Sequence, residues 1–357
     1  MDCVQELGAA VRAAVSEKRQ LTLCGGGSKA LDGGGVAAEK LDLTCHSGVV
    51  SYEPSELVVT VRCGTSLAEL DGLLAENGQM LACESPSLRG VATVGGTVAC
   101  GLSGPRRPYA GSLRDFVLGV NMINGLGELL RFGGQVMKNV AGYDLSRLQV
   151  GAYGQLGAVL EVSLKVVPKP QRELTRYYEF AALEEAVRYT SGLIAQSVPL
   201  SGSCYHGNRL SLRFSGSTKT LDKLESSLGG EPGDDSHWLQ LNNRELDFFQ
   251  SSRWPLWRVS LPEGVQELPF PGDCLYEWGG CLRWFSGEAD GEALRRWCTE
   301  RGGYATLHRN ARTPEHGYAL PNPALQGWHD RLRDAFDPQR VFNPGISNFG
   351  STSPVIS

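Results

Sequence analysis

A chain of 357 residues exceeds what one hydrophobic core supports, so two domains are expected, with room to bury a large ligand. Hydrophobic residues at 41%, charged residues at 20% and a net charge of -5 describe a globular protein with no basic surplus for nucleic acid. No apolar run reaches the roughly 18 residues that cross a bilayer, which excludes a direct span.

The chain opens with MDCVQELGAAVRAAVSEKRQ, where Val4, Leu7, Val11, Ala14 and Val15 fall at helical spacing. Acids stand where a secretion signal needs an apolar stretch, so a packed surface helix is expected. The ten cysteines are scattered singly with no C-x-x-C pair, and we expect reduced, buried thiols in the cytosol and no metal site. A short strand, Leu21 to Cys24, runs into glycines. Val49 to Tyr52 and Leu57 to Cys63 read as strands, followed by a helix through Leu67, Leu70, Leu73 and Leu74 that ends at Asn77-Gly78. Phe116 to Ile123 and Leu129 to Phe132 flank Asn124-Gly125, a hairpin signal, and Leu156 to Val167 is a further strand.

The prolines of Val166-Val167-Pro168-Lys169-Pro170 suggest a boundary, because proline cannot continue a central strand. All seven tryptophans lie at or beyond Trp238, whereas the long glycine clusters lie before Gly157, so the two regions are built differently. Beyond the boundary, Leu210 to Phe214, Trp257 to Leu261 and Leu275 to Phe285 read as strands, and Asp222 to Leu228 and Glu292 to Arg301 as helices. Pro323 to Phe336 places Leu325, Trp328, Leu332 and Phe336 on one helical face and stops at Asp337-Pro338.

Three glycine clusters carry the chemistry. Leu21-Thr22-Leu23-Cys24-Gly25-Gly26-Gly27-Ser28-Lys29 sends a strand into glycines whose N–H groups can converge on a pyrophosphate, with Ser28 and Lys29 as further donors. It matches neither G-x-x-x-x-G-K-[ST] nor G-x-G-x-x-G, since Ala30 occupies the third glycine position. Ala92-Thr93-Val94-Gly95-Gly96-Thr97-Val98-Ala99 and Gly151-Ala152-Tyr153-Gly154-Gln155-Leu156-Gly157-Ala158-Val159 set small residues where backbone must approach a flat aromatic ligand. Taken singly, each is equally a turn or bulge.

Their order, however, resembles the FAD-binding domain of the vanillyl-alcohol oxidase / p-cresol methylhydroxylase (PCMH) family over residues 1 to 170. The resemblance resumes at Phe336-Asp337-Pro338-Gln339-Arg340-Val341-Phe342-Asn343-Pro344-Gly345, similar to the segment by which that family's chain returns to the flavin. Lys138-Asn139-Val140-Ala141-Gly142-Tyr143-Asp144 is similar to a stretch of D-lactate and glycolate dehydrogenases. Gly104-Pro105-Arg106-Arg107-Pro108, Gly111 to Val117 and Phe132 to Met137 narrow it to flavin-binding E subunits of bacterial glycolate oxidases, which partner a catalytic FAD subunit and an iron–sulfur subunit.

The resemblance implies an α+β chain: a two-lobed PCMH-type domain (lobes 1–48 and 49–170), a smaller α+β cap domain over 171–322, and a C-terminal helix and returning segment over 323–357. FAD would lie between the lobes. Gly25, Gly26, Gly27, Ser28 and Lys29 are implied at the pyrophosphate, and Thr93, Gly95, Gly96 and Ala99 along the diphosphate and isoalloxazine. Gly154, Gly157 and Val159 are implied near the ring or adenosine, with Ser103, Arg114, Asp115 and Asn343 as further contacts. The expected location is the cytoplasm, with any contact to the inner face of the cell membrane made through partners.

The family pattern is broken in three places. The first loop offers Gly-Ser-Lys rather than a His or Cys for covalent attachment, so noncovalent FAD is expected. Gly101-Leu102-Ser103-Gly104 replaces the family's Asn-Ala-Gly-Gly. The cap lacks H-x-x-D-G-N-x-H, and no two of the six histidines are seven residues apart. Oxidising a 2-hydroxy acid needs a base for the hydroxyl proton and a cation for the carboxylate. His308 and Arg309 could supply these, or they are a polar pair at a strand edge; no other catalytic residue is identifiable. Three functions therefore stand open: a flavin-binding subunit of a glycolate dehydrogenase complex, a self-sufficient FAD-dependent 2-hydroxy-acid dehydrogenase, and a structural subunit that has lost its flavin.

Overall fold

The computed structural model describes residues 1–28, 38–88, 90–134, 143–251, 253–264, 267–309 and 325–344, with the side chain of Arg309 outside that description. Helix α1 (Val4–Ser16) buries Leu7, Val11 and Ala14 against strand β1 (Leu21–Cys24), which pairs in parallel with β2 (Glu39–Asp42). Leu21, Leu41, Ile123, Leu160, Val341 and Phe342 share this core, so the first lobe is sealed by residues from the second and from the far end of the chain.

The second lobe is a five-stranded antiparallel sheet. Its strands are β3 (Val49–Glu53), β4 (Val58–Arg62), β5 (Val117–Ile123), β6 (Leu129–Gly133) and β7 (Ala158–Lys165), in the order β3-β4-β7-β5-β6. Central strands β4 and β7 are buried on both faces, with the buried Thr60 and Ser163 hydroxyls paired at 2.8 Å. Helix α2 (Leu67–Glu76) buries Leu67, Leu70 and Leu74, is capped by Ser66 and ends at Asn77. Val167-Pro168 leaves the sheet to pair with Gln79-Met80, where proline's missing N–H costs nothing.

The β5–β6 hairpin forms, but not through a two-residue Asn-Gly turn with positive φ. Asn124 Oδ1 instead accepts the Leu126 and Glu128 amides at 3.0 and 2.9 Å, and the left-handed residue is Gly127 at φ 77°. Gly125 is required for packing, because a Cβ there would lie 2.2 Å from Asp337 Oδ1.

The cap is an antiparallel sheet flanked by helices. Its main strands are β8 (Arg172–Glu179), β9 (Leu200–His206), β10 (Arg209–Gly216), β11 (Leu256–Ser260), β12 (Gly272–Glu277), β13 (Leu282–Gly287) and β14 (Tyr304–Arg309). With the short strand Glu231–Pro232 outermost, the order runs β8-β10-β9-β12-β13-β11-β14. The single strand expected over Leu275 to Phe285 is a hairpin, turned by Gly279 and Gly280 at φ 65° and 92°. Trp238, Phe248 and Phe249 pack on one face against Leu275 and Trp284; Leu294 and Cys298 pack on the other against Trp257 and Phe285. Trp238, Trp257, Trp278 and Trp284 are core residues, whereas Trp254 and Trp328 are exposed.

Helix α3 (Gln326–Phe336) sets Phe336 edge-to-face on Phe132 at 5.9 Å. Only this end of the expected stripe packs, and Leu325 and Trp328 face outward. Asp337 then accepts the Val341 and Phe342 amides at 2.8 and 3.0 Å, turning the chain back to β1.

A buried ionic latch joins the second lobe to the cap. Glu84 accepts Arg106 Nε at 3.1 Å and Arg213 Nη2 at 2.8 Å, while Arg106 also reaches Glu173 and, at 3.1 Å, Ser215 Oγ. Arg106 and Arg213 are 6% and 4% exposed, so each needs its carboxylate.

Candidate functional site

The first glycine loop leaves β1 and lies against the segment before the second glycine motif. A Cβ on Gly26 would fall 1.5 Å from the Val91 carbonyl oxygen, and one on Gly25 would fall 2.4 Å from Thr93 Oγ1. Neither position tolerates a side chain. Gly27 is left-handed at φ 69° and faces open space. The amides of Gly25, Gly26, Gly27 and Ser28 donate to no acceptor among the described residues. Backbone donors that are part-buried and unpaired ask for an acceptor, and consecutive ones converge on an anion.

The second motif forms a short helix, Val94–Cys100, rather than sheet or bulge. Thr93 caps it by accepting the Gly96 amide at 3.2 Å, and the Gly95 amide is tied to the Cys63 carbonyl at 2.8 Å. A Cβ on Gly95 would meet Cys63 Cβ at 2.6 Å. The Val98 and Ala99 carbonyls then accept the Gly151 and Tyr153 amides at 3.0 and 2.9 Å, which docks the third motif on the second.

Gly154 is left-handed at φ 68°, and a Cβ there would lie 2.7 Å from Asn343 Nδ2. Asn343 accepts the Leu23 amide through Oδ1 at 2.8 Å and donates through Nδ2 to the Tyr153 carbonyl at 2.6 Å. One side chain from the returning segment thus ties the first strand to the third motif. Gly25 to Ser28, Thr93 to Ala99, Gly154 and Asn343 form a single cradle.

Other expected contacts have local tasks. Asp115 Oδ2 accepts the Ser112 amide and hydroxyl, both at 2.8 Å, in a capping box. Arg114 reaches the Val150 carbonyl at 3.4 Å, and Ser103 Oγ accepts the Leu113 amide at 3.1 Å. Val159 lies in the sheet core, and Gly157 at φ 145° gives way to Met122. Lys29 lies outside the described residues. The run of donors at Gly25 to Ser28, with no room for a side chain at Gly25 or Gly26, fits a pyrophosphate, whereas the Gly95, Gly96, Gly151 and Tyr153 amides are already paired within the protein.

A second polar region lies on the cap. Register pairs Arg258 with Trp284 on one side and with Thr306 on the other, and Ser260 with Tyr304. Paired residues share a face, so Arg258, Trp284, Thr306 and Tyr304 point the same way. His308 joins them, edge-on to Trp284 at 5.0 Å and half-buried. The strand carrying His308 is the sheet edge. Arg107 arrives from the second lobe, its guanidinium 4.4 Å above the Trp278 ring, and Arg258 lies 5.3 Å from that ring. Trp278 donates its indole N–H to the Gly104 carbonyl at 3.1 Å. Sequence reading did not single out Arg258 or Tyr304, and it treated Arg107 only as part of a motif. The alternation of Arg258 and Ser260 with buried Trp257 and Val259 was the available signal.

Residues 1–133 match the model of the FAD binding domain family. The chain is 44% identical over 344 residues to glycolate oxidase subunit GlcE of Escherichia coli (strain K12), covering 96% of this chain and 97% of that one. It belongs to the GlcE family of FAD-binding oxidoreductase subunits. Glycolate oxidase subunit GlcD of Bacillus subtilis (strain 168) is 32% identical over 150 residues, which is 42% of this chain and 32% of the relative. Among solved structures, alkyldihydroxyacetonephosphate synthase superposes with a TM-score of 0.68 at 16% identity, covering 94% of this chain and 73% of that one. That likeness shows the fold alone, a mixed α and β chain shared over almost its whole length.

Relatives of this GlcE-family chain differ in how much of it they share. GlcE aligns over almost the whole length, whereas GlcD aligns over less than half. Among the described residues, no helix is long and apolar enough to cross a membrane.

Proposed function

We propose that this chain holds FAD noncovalently in the cradle between its lobes and serves as the flavin-binding subunit of a complex that oxidises glycolate to glyoxylate. The partners would be a catalytic FAD subunit and an iron–sulfur subunit. The complex would be cytoplasmic, with any hold on the inner membrane face made through those partners. The observation that carries this reading is the run of amides at Gly25 to Ser28 with no acceptor among the described residues, on a loop packed against the second glycine motif, with Asn343 tying its strand to the third. Bound FAD would supply a two-electron acceptor. The chain's own residues would hold it: Gly25 to Ser28 and Lys29 at the diphosphate, Thr93, Gly95, Gly96 and Ala99 along it, and Gly154 and Asn343 closing the far side. The first loop offers no His or Cys for a covalent bond, which supports release of the flavin on denaturation.

A second reading, a chain active by itself, draws on one observation: His308, half-buried, shares a cap face with Arg258 and Tyr304. Proton abstraction by an imidazole requires such a polar, accessible face. The test is to purify the chain alone and with its partners, record the visible flavin spectrum, precipitate with acid and count flavin and iron. Flavin in the acid supernatant, with glycolate-dependent dye reduction only in the complex, is expected. A colourless chain in an active complex would overturn the flavin-binding role, and full turnover by the chain alone would favour the second reading.

A further inference from the structure

We infer that Arg107 and Arg258, meeting over Trp278 at the junction of flavin domain and cap, form with Tyr304 a recognition site for the carboxylate of a small 2-hydroxy acid. The inference rests on the proposed function for its choice of ligand. It rests on geometry for its place.

The three residues come from three separate segments. Arg107 follows the Gly104-Pro105-Arg106 turn of the second lobe, Arg258 lies in β11, and Tyr304 opens β14. Sheet register sets Arg258 and Tyr304 diagonally on one face. Both guanidiniums lie against one indole, at 4.4 and 5.3 Å from its centre. Stacking on an aromatic face fixes a guanidinium's plane and leaves its N–H edge free, and that fork matches a carboxylate with two parallel hydrogen bonds.

Neighbouring arginines sharpen the contrast. Arg106 and Arg213, at the same junction, are each paired with Glu84. Arg107 and Arg258 form no ion pair with a carboxylate among the described residues. Two half-buried cations held close together repel one another; the buried Glu277 offsets part of the charge of Arg258 and Asp115 part of that of Arg107, and an anion between the guanidiniums would relieve the repulsion that remains. The electrostatics agree: burial and then the charge of Arg258 push Arg107 down from the ordinary guanidinium value. Burial would push the Tyr304 phenol up, but Arg258 and Arg107, with hydrogen bonds to Arg258 and Ser260, bring it below its ordinary value. A small ligand is the expected one because all three side chains are half-buried rather than sealed, with Thr306 and His308 on the same face.

The test uses the full-length chain and oxalate, a two-carbon dicarboxylate that is not oxidised through a hydroxyl. Binding is followed by calorimetry and by tryptophan fluorescence, since Trp278 is in contact with both cations. We expect oxalate to bind and Arg107→Met or Arg258→Met to weaken it by at least about 10-fold. Arg258→Lys should retain part of the affinity, and Arg301→Met, which removes a cation stacked on Trp297 elsewhere in the cap, should retain all of it. Flavin content, read from the visible spectrum of the same samples, separates the two readings. A colourless chain whose oxalate affinity still depends on Arg107 and Arg258 supports this site while removing the flavin role. A flavin-loaded chain that ignores oxalate, or binds it equally well in the Met and Lys variants, overturns the site.

Discussion

Asn343 donates its Nδ2 to the carbonyl of Tyr153 at 2.6 Å, across 190 residues of sequence. The same amide accepts from Leu23 at 2.8 Å, so one polar side chain sets the spacing of two walls of the cradle. Asn343→Ala leaves a backbone donor and acceptor unpaired, a loss of about 2 kcal/mol. We expect a lower melting temperature and a reduced flavin-to-protein ratio. Asn343→Leu, similar in volume, should not restore either; retention of full flavin content by both variants would show that the clamp does not shape the cradle.

Gly26 and Gly27 make different demands. At Gly26 a methyl group would lie 1.5 Å from the Val91 carbonyl oxygen, so Gly26→Ala must displace backbone. At Gly27 there is open space, and the cost is that of a left-handed alanine, about 1 kcal/mol. Gly26→Ala is expected to lose flavin, whereas Gly27→Ala should keep most of it. Equilibrium dialysis against FAD measures both, and equal losses would refute the packing account.

Glu173 ties the cap to Arg106. Burial raises its carboxyl, but Arg213 and Arg106, with hydrogen bonds from Ser215 and Arg106, outweigh that and hold it below its ordinary value. A carboxyl depressed in the folded state lends stability that is present above its unfolded pKa and is lost as pH falls through the folded one. The latch should therefore weaken in acid, below about pH 4.3. Glu173→Gln should lower the melting temperature at neutral pH and flatten its acid dependence in differential scanning calorimetry.

His237 acts on a higher window. Burial drives its imidazole down to about 4, Asp234 raising it and Arg209 and Arg213 lowering it further. The ring lies edge-on to Tyr177 and Trp238, and its Nε2 is buried without a partner. Unfolded histidine titrates near about 6.5, so the unfolded chain takes up the extra proton between there and about 4. Stability is thus full at neutral pH and declines as pH falls through that interval. Urea unfolding at several pH values should show the decline, and His237→Phe should remove it.

The parts of the candidate cradle that could be read in sequence are local, whereas their closure by Asn343 is not. A strand running into Gly25-Gly26-Gly27, a helix ending at Asn77, and a chain turning at Asp337 each depend on residues a few positions apart. The cap's polar face was not legible, because Arg258 meets Tyr304 through strand register and Arg107 through domain docking. Neither relationship is encoded by spacing along the chain. The hairpin over Leu275 to Phe285 was hidden for a related reason: Trp278-Gly279-Gly280 interrupts a continuously β-like run without proline or Asn-Gly to mark it. Trp328 shows the converse, a helical stripe whose period was correct but whose outer end stays exposed, with only Arg331 of the same helix over the Trp328 ring among the described residues.

The latch of Glu84, Arg106, Arg213 and Glu173 has a consequence for traffic. Swinging the cap outward would part Arg106 from Glu173 and Ser215, and Arg213 from Glu84, simultaneously. Such a joint behaves as a rivet rather than a hinge. A cap fixed in this way holds Arg107 of the second lobe and Arg258 of the cap at a constant separation over Trp278, so what the junction admits is set by its shape and not by the rate of a closing door.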